Sequence, residues 1–342
     1  MLQKTIAYSS ASTEFYFDAS LDLLKQLAPT QNSFILTDEN LMLHYQPDFK
    51  PWQVITVPAG ESSKNLDSLD DIVRQLIALD AGRDATLIGI GGGVVTDIAG
   101  FTAGIYKRGI RCGFVPTSIM AMVDAAIGGK NGLDIGEYKN MMGLVRQPSF
   151  ILYDYALLQS LPEEEWINGF AEIIKHAAIK DAALFAFLEQ HTIGDFRKDK
   201  ALLAELVNRN ALLKATVVQG DEWEYGDRKQ LNFGHTLGHA IENTYELPHG
   251  QAISIGMAFA ARISENFTGF GECHRLERLL EQYGLPVRFP FDKKQALHYM
   301  MADKKKAGEK ISYILLEQIG KAVVHPLSIE EIRNSLNEEH AN

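Results

Sequence analysis

The sequence has little cysteine and no uninterrupted apolar run. Its two cysteines, Cys112 and Cys273, are too few for a disulfide framework and predict a reducing compartment. The longest nearly apolar stretch, Gly113–Gly129, contains Pro116 and Asp124, and it is too short and too broken to cross a bilayer. The first residues show no basic segment followed by an apolar one, so we expect no signal peptide and a cytoplasmic protein.

An excess of basic residues is also absent. The formal net charge of -11 excludes a large nucleic-acid-binding face, although it leaves room for a local basic pocket. Internal repeats and low-complexity linkers are missing, and a hydrophobic fraction of 46% is that of an ordinary globular protein. The chain has 342 residues, which is more than usually fold around a single hydrophobic core, so we expect two domains.

The first half of the chain alternates strand-like runs with helical patterns. The predicted strands are Ser33–Thr37, Gln53–Pro58, Ala85–Ile90, Cys112–Val115 and Phe150–Asp154, and a helix is predicted over Leu66–Ala81. This alternation predicts a parallel sheet covered by helices. The later predicted elements are all helices: Glu163–Ala178, Ala201–Val218, His235–Tyr245, Ala252–Glu265 and Ser328–Leu336, the last with a capping box. We therefore predict an α/β domain over residues 1–155 and an α-helical domain over 156–342.

Glycines follow the third predicted strand, in Gly89-Ile90-Gly91-Gly92-Gly93-Val94. Glycines between a strand and a helix let backbone amides approach a pyrophosphate, whose charge the helix N-terminus favours. The strict dinucleotide fingerprint is absent, because Val94 stands where its last glycine belongs. On this feature alone, a nucleotide site and a tight turn without a ligand are equally favoured.

Three histidines form the second chemical signal. His235 and His239 share one helix face, and His249 follows in a predicted turn. Glu172 precedes Lys175 by three residues on another predicted helix, a spacing typical of an exposed ion pair. The same glutamate would complete a zinc site of two histidines and one carboxylate. Spacing leaves both interpretations open, together with ordinary surface or core histidines.

Cations with polar neighbours form a third signal. The group comprises Lys130, Lys139, Asn140, Lys214, Arg228 and the run Lys304-Lys305-Lys306. Any one of these cations, taken singly, is typical of a solvated surface. Several of them near glycine-rich turns of an acidic chain indicate an anionic substrate with phosphate or carboxylate groups.

In their order and spacing, these segments resemble the 3-dehydroquinate synthase family from about Thr37 to about Leu316. The matching motifs are Thr37-Asp38-Glu39-Asn40, Pro58-Ala59-Gly60-Glu61-Ser62-Ser63-Lys64, the glycine turn, Val115-Pro116-Thr117-Ser118 and the segment from Val123 to Lys130. The resemblance implies a Rossmann-like NAD-binding domain followed by a helical metal- and substrate-binding domain. The NAD contacts that it implies are Asp38, Asn40, Glu61, Lys64, Gly92, Gly93, Val94, Asp97, Thr117, Ser118, Asp124, Lys130, Lys139 and Ser160.

The resemblance also implies a zinc or cobalt ion, with Glu172, His235 and His249 as ligands. The implied substrate-binding and catalytic residues are Lys130, Lys139, Asn140, Lys214, Arg228, Asn232 and His239, with Lys304 or Lys305. Arg108 matches an arginine that such enzymes contribute to the phosphate pocket of the neighbouring subunit, so a homodimer is expected.

The reaction implied by the resemblance converts 3-deoxy-D-arabino-heptulosonate 7-phosphate to 3-dehydroquinate and phosphate, a step of the shikimate pathway. NAD⁺ oxidises the substrate at C5, phosphate is eliminated, the hydride returns, and an intramolecular aldol step closes the ring. The metal ion would act as a Lewis acid at the C5 oxygen. His239 and Lys214 are candidates for proton transfer and its support, while Lys130, Asn140 and Arg108 would hold the phosphate.

Asn131 and Asp134 depart from the usual family pattern, in which threonine and asparagine occupy these positions, and Asp134 adds negative charge near the predicted anion pocket. The alternatives are sister cyclases of the 2-deoxy-scyllo-inosose or valiolone synthase type and a metal-dependent polyol dehydrogenase. Lys214 and Arg228 favour a substrate with a carboxylate, which the sister cyclases do not use. A non-enzymatic homologue is disfavoured because no matched site position is lost.

Overall fold

The computed structural model describes residues 1–136, 138–302 and 310–338. The predicted substrate lysines Lys304 and Lys305, together with Lys306, lie outside these described residues. The chain separates into two compact units, here called the first and the second unit. The first unit comprises Met1–Trp166 and Asp199–Trp223; the second comprises Ile167–Lys198 and the described residues from Glu224 onward.

The strands form one large sheet and two hairpins. Their bounds are β1 Leu2–Ala7, β2 Ser12–Phe17, β3 Ser33–Asp38, β4 Gln53–Val57, β5 Thr86–Gly91, β6 Arg111–Pro116, β7 Lys130–Ile135, β8 Tyr138–Val145, β9 Phe150–Tyr153, β10 Lys310–Gln318 and β11 Lys321–Ser328. The large sheet has the order β1-β2-β9-β6-β5-β3-β4. The β1–β2 pair is antiparallel and all its other pairs are parallel.

The helices are distributed over both units. The α-helices are α1 Leu24–Leu27, α2 Glu39–Phe49, α3 Leu66–Ala78, α4 Gly93–Ile105, α5 Glu163–Lys180, α6 Ala182–Leu188, α7 Ile193–Lys198, α8 Lys200–Gly220, α9 His235–Tyr245, α10 His249–Thr268, α11 Cys273–Gln282, α12 Lys293–Ala302 and α13 Ile329–Glu338. Short 3-10 helices cover Leu21–Leu23, Thr30–Asn32, Glu61–Ser63, Tyr106–Arg108, Tyr155–Ser160 and Asp227–Asn232, and a π-helical turn covers Ala121–Ala125. Within the described residues, no helix combines the length and apolar composition that crossing a bilayer requires.

Continuous apolar runs explain the parallel part of the sheet. Every residue of β5 and of β9 is buried, and β3 is buried up to Thr37. Strands that are covered on both faces require such runs, whereas a strand with one wet face alternates apolar and polar residues. The sequence pattern therefore places these strands in the middle of the first unit.

The strand order creates a switch point between β3 and β5. The chain passes from β3 to β4 on one side of β3 and then returns to its other side as β5. Connections on the two sides of such a point diverge, which leaves a crevice at the carboxyl ends of the two strands. Ligands of open α/β sheets bind in crevices of this kind.

The second unit is mainly helical around α10. Most of α10 is buried from Ala252 to Ser264, and α9, α11 and β10 pack against it. The hairpin β10–β11 was not predicted from the sequence. Its two strands pair antiparallel over most of their length. At the C-terminus, Ser328 and Glu331 form the predicted capping box, in which each residue bonds the backbone amide of the other.

The predicted α/β and helical regions are both present, and the five predicted strands correspond to β3, β4, β5, β6 and β9. The predicted domain boundary after residue 155 differs from the division into compact units, because the first unit continues to Trp166 and also includes Asp199–Trp223. The helix α8 packs against the π-helical turn of residues 121–125 and so belongs to the first unit. No periodicity within α8 indicates which part of the chain it packs against.

Candidate active site

Three of the predicted NAD segments meet at the carboxyl edge of the large sheet. Asp38 ends β3 and caps α2, where its carboxylate accepts a hydrogen bond from the Leu41 amide at 2.9 Å. Gly91 ends β5, and its carbonyl oxygen accepts from the Thr117 amide at 3.0 Å. Because β5 lies between β3 and β6, these segments lie side by side at the switch point, where a nucleotide is expected to bind.

The glycine turn combines close packing with an uncapped helix. A Cβ atom on Gly91 would lie 2.4 Å from the Val95 Cβ, and one on Gly93 would lie 3.2 Å from the Ala125 Cβ. Gly92 is the N-cap of α4 and provides no side-chain cap, so the first amides of the helix remain for an anion. Val94 lies in this first helical turn. The turn therefore fits a pyrophosphate, although the strict fingerprint is missing.

The other predicted NAD residues of this edge occupy neighbouring elements. Asn40 lies exposed in the first turn of α2, and Glu61 lies exposed at the start of a 3-10 helix. Ser118 is buried just after β6, where its hydroxyl accepts from the Ala121 amide. The Ser160 hydroxyl lies 3.1 Å from the Tyr45 hydroxyl on α2, which brings Ser160 to the helix that follows Asp38.

A buried ion pair links the NAD segments to the β7–β8 hairpin. Lys64 Nζ lies 2.6 Å from Asp97 Oδ2 and donates to Asn140 Oδ1 at 2.7 Å. Burial raises the pKa of Asp97 to about 6, against the opposing charge of Lys64. Burial lowers the pKa of Lys64, but the charges of Asp97 and Glu61 outweigh it and the pKa is raised.

Asp134, which departs from the family pattern, has a structural role in this network. Its carboxylate accepts from the Asn140 amide at 2.6 Å, and its own amide donates to the Lys64 carbonyl at 2.8 Å. Asn140 adopts a left-handed backbone with φ 52°. The Asp134 carboxylate thus fixes the backbone of Asn140, and it does so by a hydrogen bond between the two strands of the hairpin.

The remaining predicted cations of the first unit differ in burial. Lys214 on α8 is buried; its Nζ lies 2.6 Å from Asp124 Oδ1 and donates to the Asp124 carbonyl at 2.7 Å. Lys130 and Lys139 are exposed on the β7–β8 hairpin, and Arg108 is exposed in the turn after α4. The structure therefore brings Lys214 to Asp124. Lys130 and Lys139 lie on the two strands of one hairpin, and Arg108 lies in a separate turn.

The three predicted metal ligands converge in the second unit. Glu172 Oε1 lies 3.7 Å from His235 Nε2 and 3.4 Å from His249 Nε2, and the three ligand atoms all lie within 4.8 Å of one another. Donor atoms bound to a tetrahedral zinc ion at about 2.0–2.2 Å lie roughly 3.3–3.6 Å apart. The donor set fits zinc, and the 3.4 Å between Glu172 and His249 lies within this range. A catalytic zinc site typically has three protein ligands and one open position.

Each of these ligands has an orienting partner on its far side. The Phe233 carbonyl lies 3.1 Å from His235 Nδ1, and Glu242 Oε2 lies 3.4 Å from His249 Nδ1. Lys175 forms a buried ion pair with the second oxygen of Glu172, so the predicted pair exists but is not exposed. Such partners fix the tautomer and direction of metal-binding side chains.

The pKa values of the two histidines are shifted in opposite directions. Burial lowers the pKa of His235 well below its usual value, and the charge of Lys175 lowers it further. Burial also lowers the pKa of His249, but hydrogen bonds with Glu172 and Glu242 outweigh it and raise the pKa to about 9. His235 is therefore neutral at pH 7, in the protonation state that a metal ligand requires.

Glycines bring the two histidine helices together. A Cβ atom on Gly256 of α10 would lie 1.9 Å from the Gly234 carbonyl oxygen and 3.0 Å from the Gly238 nitrogen. This close approach holds α9, which begins at His235, against α10, which begins at His249. The prediction that His249 lies in a turn is wrong, because Pro248 precedes the first turn of α10 and His249 is its first residue.

The other predicted residues of the second unit lie on the same or neighbouring elements. His239 is exposed one turn after His235, with ring centroids 5.0 Å apart. Asn232 Nδ2 donates to Glu224 Oε1 at 2.6 Å, and Arg228 is buried in the same 3-10 helix as Asn232.

Two acidic residues of this unit were not predicted. Glu242 follows His235 by seven positions on α9, and that spacing on one helix face was an available signal. Glu224 lies in a polar segment without periodicity, so no sequence signal indicated it.

Comparisons with known proteins match most of the chain to one family. Residues 54–168 match the family described as 3-dehydroquinate synthase N-terminal, and residues 169–306 match the one described as 3-dehydroquinate synthase C-terminal. A 3-dehydroquinate synthase of Acidithiobacillus ferrooxidans is 41% identical over 80% of this chain and 77% of its own length. One of Dictyoglomus thermophilum is 38% identical over 89% of this chain and 88% of its own.

Solved structures of sister enzymes share the fold. A 2-epi-5-epi-valiolone synthase of Streptomyces hygroscopicus with bound NAD⁺ and Zn²⁺ has a TM-score of 0.86 and 26% identity, covering 99% of this chain and 98% of that one. A 2-deoxy-scyllo-inosose synthase with carbaglucose-6-phosphate, NAD⁺ and Co²⁺ has a TM-score of 0.84 at 24% identity, covering 98% and 99%. Because both family models and the curated relatives match most of its length, the chain belongs to the 3-dehydroquinate synthase family.

Proposed function

We propose that the protein converts 3-deoxy-D-arabino-heptulosonate 7-phosphate to 3-dehydroquinate and phosphate, with NAD and a divalent metal ion as cofactors. The observation that carries the proposal is the cluster of Glu172, His235 and His249, each with an orienting partner, in a chain of this family. The reaction belongs to the shikimate pathway. Two buried free thiols, Cys112 and Cys273, support a cytoplasmic location.

The NAD site is assigned to the first unit, supported by the switch point between β3 and β5. Bound NAD supplies a hydride acceptor that is regenerated within each turnover. The first amides of α4 bind the pyrophosphate, and Asp38 and Asn40 bind the adenosine side with Glu61 and Lys64. The carboxylate of Asp97 remains beside Lys64, while Thr117, Ser118, Asp124, Lys139 and Ser160 line the rest of the cofactor.

The metal site is assigned to the second unit, which contains α5 from Ile167 onward, α9 and α10. A bound zinc or cobalt ion supplies Lewis acidity toward the hydroxyl groups of the substrate. Glu172 contributes a buried carboxylate, and His235 and His249 contribute imidazole nitrogens whose directions are fixed by Phe233 and Glu242. The His239 imidazole is exposed beside His235 and transfers a proton, while Asn232 and Arg228 bind the substrate.

The phosphate is assigned to Lys130, Asn140 and Arg108, with Arg108 contributed by a second copy of the chain. Support for a homodimer comes from exposed apolar side chains of the first unit: Ile105 at the end of α4, and Tyr138, Met141 and Met142 on β8. Large exposed apolar side chains on one strand are a common mark of an interface between proteins.

Lys214 and Arg228 support a substrate with a carboxylate, in preference to the substrates of sister cyclases. The test compares the zinc- and NAD-loaded protein on the heptulosonate phosphate and on sedoheptulose 7-phosphate, which has no carboxylate. We expect phosphate release from the first substrate only. Faster release from sedoheptulose 7-phosphate would assign the chain to a sister activity instead.

A further inference from the structure

The turn between α4 and β6 has an unusual backbone. Three consecutive residues, Lys107, Arg108 and Gly109, have φ values of 48°, 68° and 113°. Residues other than glycine adopt the left-handed region at a conformational cost, and a run of them persists only when the surroundings enforce it. The exposed guanidinium of Arg108 forms no ion pair with any residue in the described part of the chain. The direction in which the Arg108 side chain leaves the chain is therefore set by the backbone of this turn.

One side chain, Arg146, holds both ends of the turn. Its Nη1 donates to the Ala103 carbonyl at 2.7 Å, and its Nη2 donates to the Ile110 carbonyl at 2.6 Å. These two carbonyls bracket residues 104–109. A Cβ atom on Gly109 would lie 2.9 Å from Arg146 Nη1, so the guanidinium lies directly against the turn. A rigid planar fork with several donors can bridge two carbonyls in this way, whereas a lysine cannot.

The backbone of Arg146 is fixed independently of this contact. Its amide donates to the Gly129 carbonyl at 2.7 Å, and its carbonyl accepts from Asn131 Nδ2 at 3.0 Å. These bonds use main-chain atoms of residue 146 and survive replacement of its side chain. A substitution at this position therefore removes the guanidinium from the Arg108 turn while it leaves the attachment to the Gly129 turn in place. The ends of the Arg108 turn then keep only their backbone bond, from the Ile110 amide to the Ala103 carbonyl at 2.9 Å.

We propose that Arg146 is a positioning residue for Arg108: its guanidinium fixes the left-handed turn and so holds the Arg108 side chain where it meets the substrate phosphate. This inference rests on the phosphate-binding role assigned to Arg108 under the proposed function. Arg146 itself contacts backbone carbonyls of its own chain, and it acts on the substrate only through Arg108.

The test is a double-mutant cycle on steady-state kinetics with Arg108→Ala, Arg146→Met and the double variant. We expect Arg146→Met to raise KM for the heptulosonate phosphate about tenfold, a mutational effect of ordinary size for one lost phosphate contact. The KM for NAD should stay unchanged. In the Arg108→Ala background, Arg146→Met should raise KM no further, because the residue acts through Arg108. Arg146→Lys, which keeps the charge without the fork, should resemble the methionine variant and serves as the second variant if that one folds poorly.

The matched control is Arg111→Met, which removes another arginine bonded to a backbone carbonyl, that of Leu27 at 2.6 Å. It should leave KM for the phosphate substrate unchanged. If Arg108→Ala raises KM while the effect of Arg146→Met is absent or adds fully to it, the positioning role is overturned and the function of Arg108 stands. If Arg108→Ala leaves KM unchanged, the phosphate role of Arg108 fails and the inference fails with it.

Discussion

Replacement of Gly256 by alanine should move the metal ligands His235 and His249 apart, although Gly256 is not itself a ligand. The new Cβ atom would lie 1.9 Å from the Gly234 carbonyl oxygen. Ordinary van der Waals contacts are about 3.5 Å or longer, so α9 and α10 must separate by more than about 1 Å. Gly256 follows His249 by seven residues on α10, and Gly234 directly precedes His235, so the two ligands move apart with their helices.

Both stability and metal affinity should respond. Overpacking of a close-packed interface costs about 1–3 kcal/mol of the free energy of unfolding. Metal–ligand distances tolerate changes of only about 0.2 Å. Loss of an orienting partner typically weakens metal binding about 10–100-fold, and we expect Gly256→Ala to weaken zinc binding at least as much. Urea unfolding of the apoprotein measures the first effect, and chelator competition with zinc measures the second.

Two other glycines provide graded controls. A Cβ atom on Gly238 would lie 2.8 Å from a terminal carbon of Ile253, which can move, and 3.1 Å from the Ala252 carbonyl oxygen, a milder clash than that of Gly256. One on Gly271 would meet nothing within 4 Å. The loss of zinc affinity should therefore decrease in the order Gly256→Ala, Gly238→Ala, Gly271→Ala, with the last variant like the wild type. Wild-type zinc affinity in a folded Gly256→Ala protein would refute the view that this helix contact sets the ligand spacing.

Three further predictions concern charged groups. Glu242→Gln should weaken zinc binding about 10–100-fold in chelator competition, because His249 loses a charged orienting partner, whereas unchanged binding would contradict that role. Lys64→Met should cost about 3–5 kcal/mol in urea unfolding because it leaves the Asp97 carboxylate buried without its partner, and the double variant Lys64→Met/Asp97→Leu should recover much of that loss. The pKa of Glu222 is lowered to about 2, against the effect of burial, by hydrogen bonds from Ser10, Ser9 and Gln147. A depressed carboxyl pKa stabilises the fold above the unfolded pKa, so Glu222→Gln should cost up to about 3 kcal/mol at pH 7, and this difference should shrink as the pH falls from about 4.5 towards 2.

The sequence predicted the elements that have a strong local signal. Continuous apolar runs identified β5 and β9, and the helical spacing of apolar residues identified α3, α5 and α8. The hairpins β1–β2, β7–β8 and β10–β11 lacked such a signal, because their strands mix exposed and buried residues and depend on pairing with each other. The left-handed turn around Arg108 was also invisible, since Lys107 and Arg108 are not residues that favour it.

The metal ligands were predicted from the resemblance, and the spacing of His235 and His239 alone left their partner open. A contact between Glu172 and the two histidines depends on how α5, α9 and α10 pack, which periodicity does not specify. The orienting groups were harder to predict. Glu242 had a usable helical spacing, whereas the Phe233 carbonyl and the Arg146 bridge to Ala103 and Ile110 involve backbone atoms that carry no sequence signal.

The most direct test of the proposed function measures phosphate and NADH together. The zinc-loaded protein is incubated with the heptulosonate phosphate and an amount of NAD⁺ far below that of the substrate, and the product is supplied to a dehydroquinate dehydratase. We expect phosphate equal to the substrate consumed, no accumulation of NADH, and a product that the dehydratase converts completely. Accumulation of NADH, or phosphate that stops at the amount of NAD⁺ added, would contradict the proposed function.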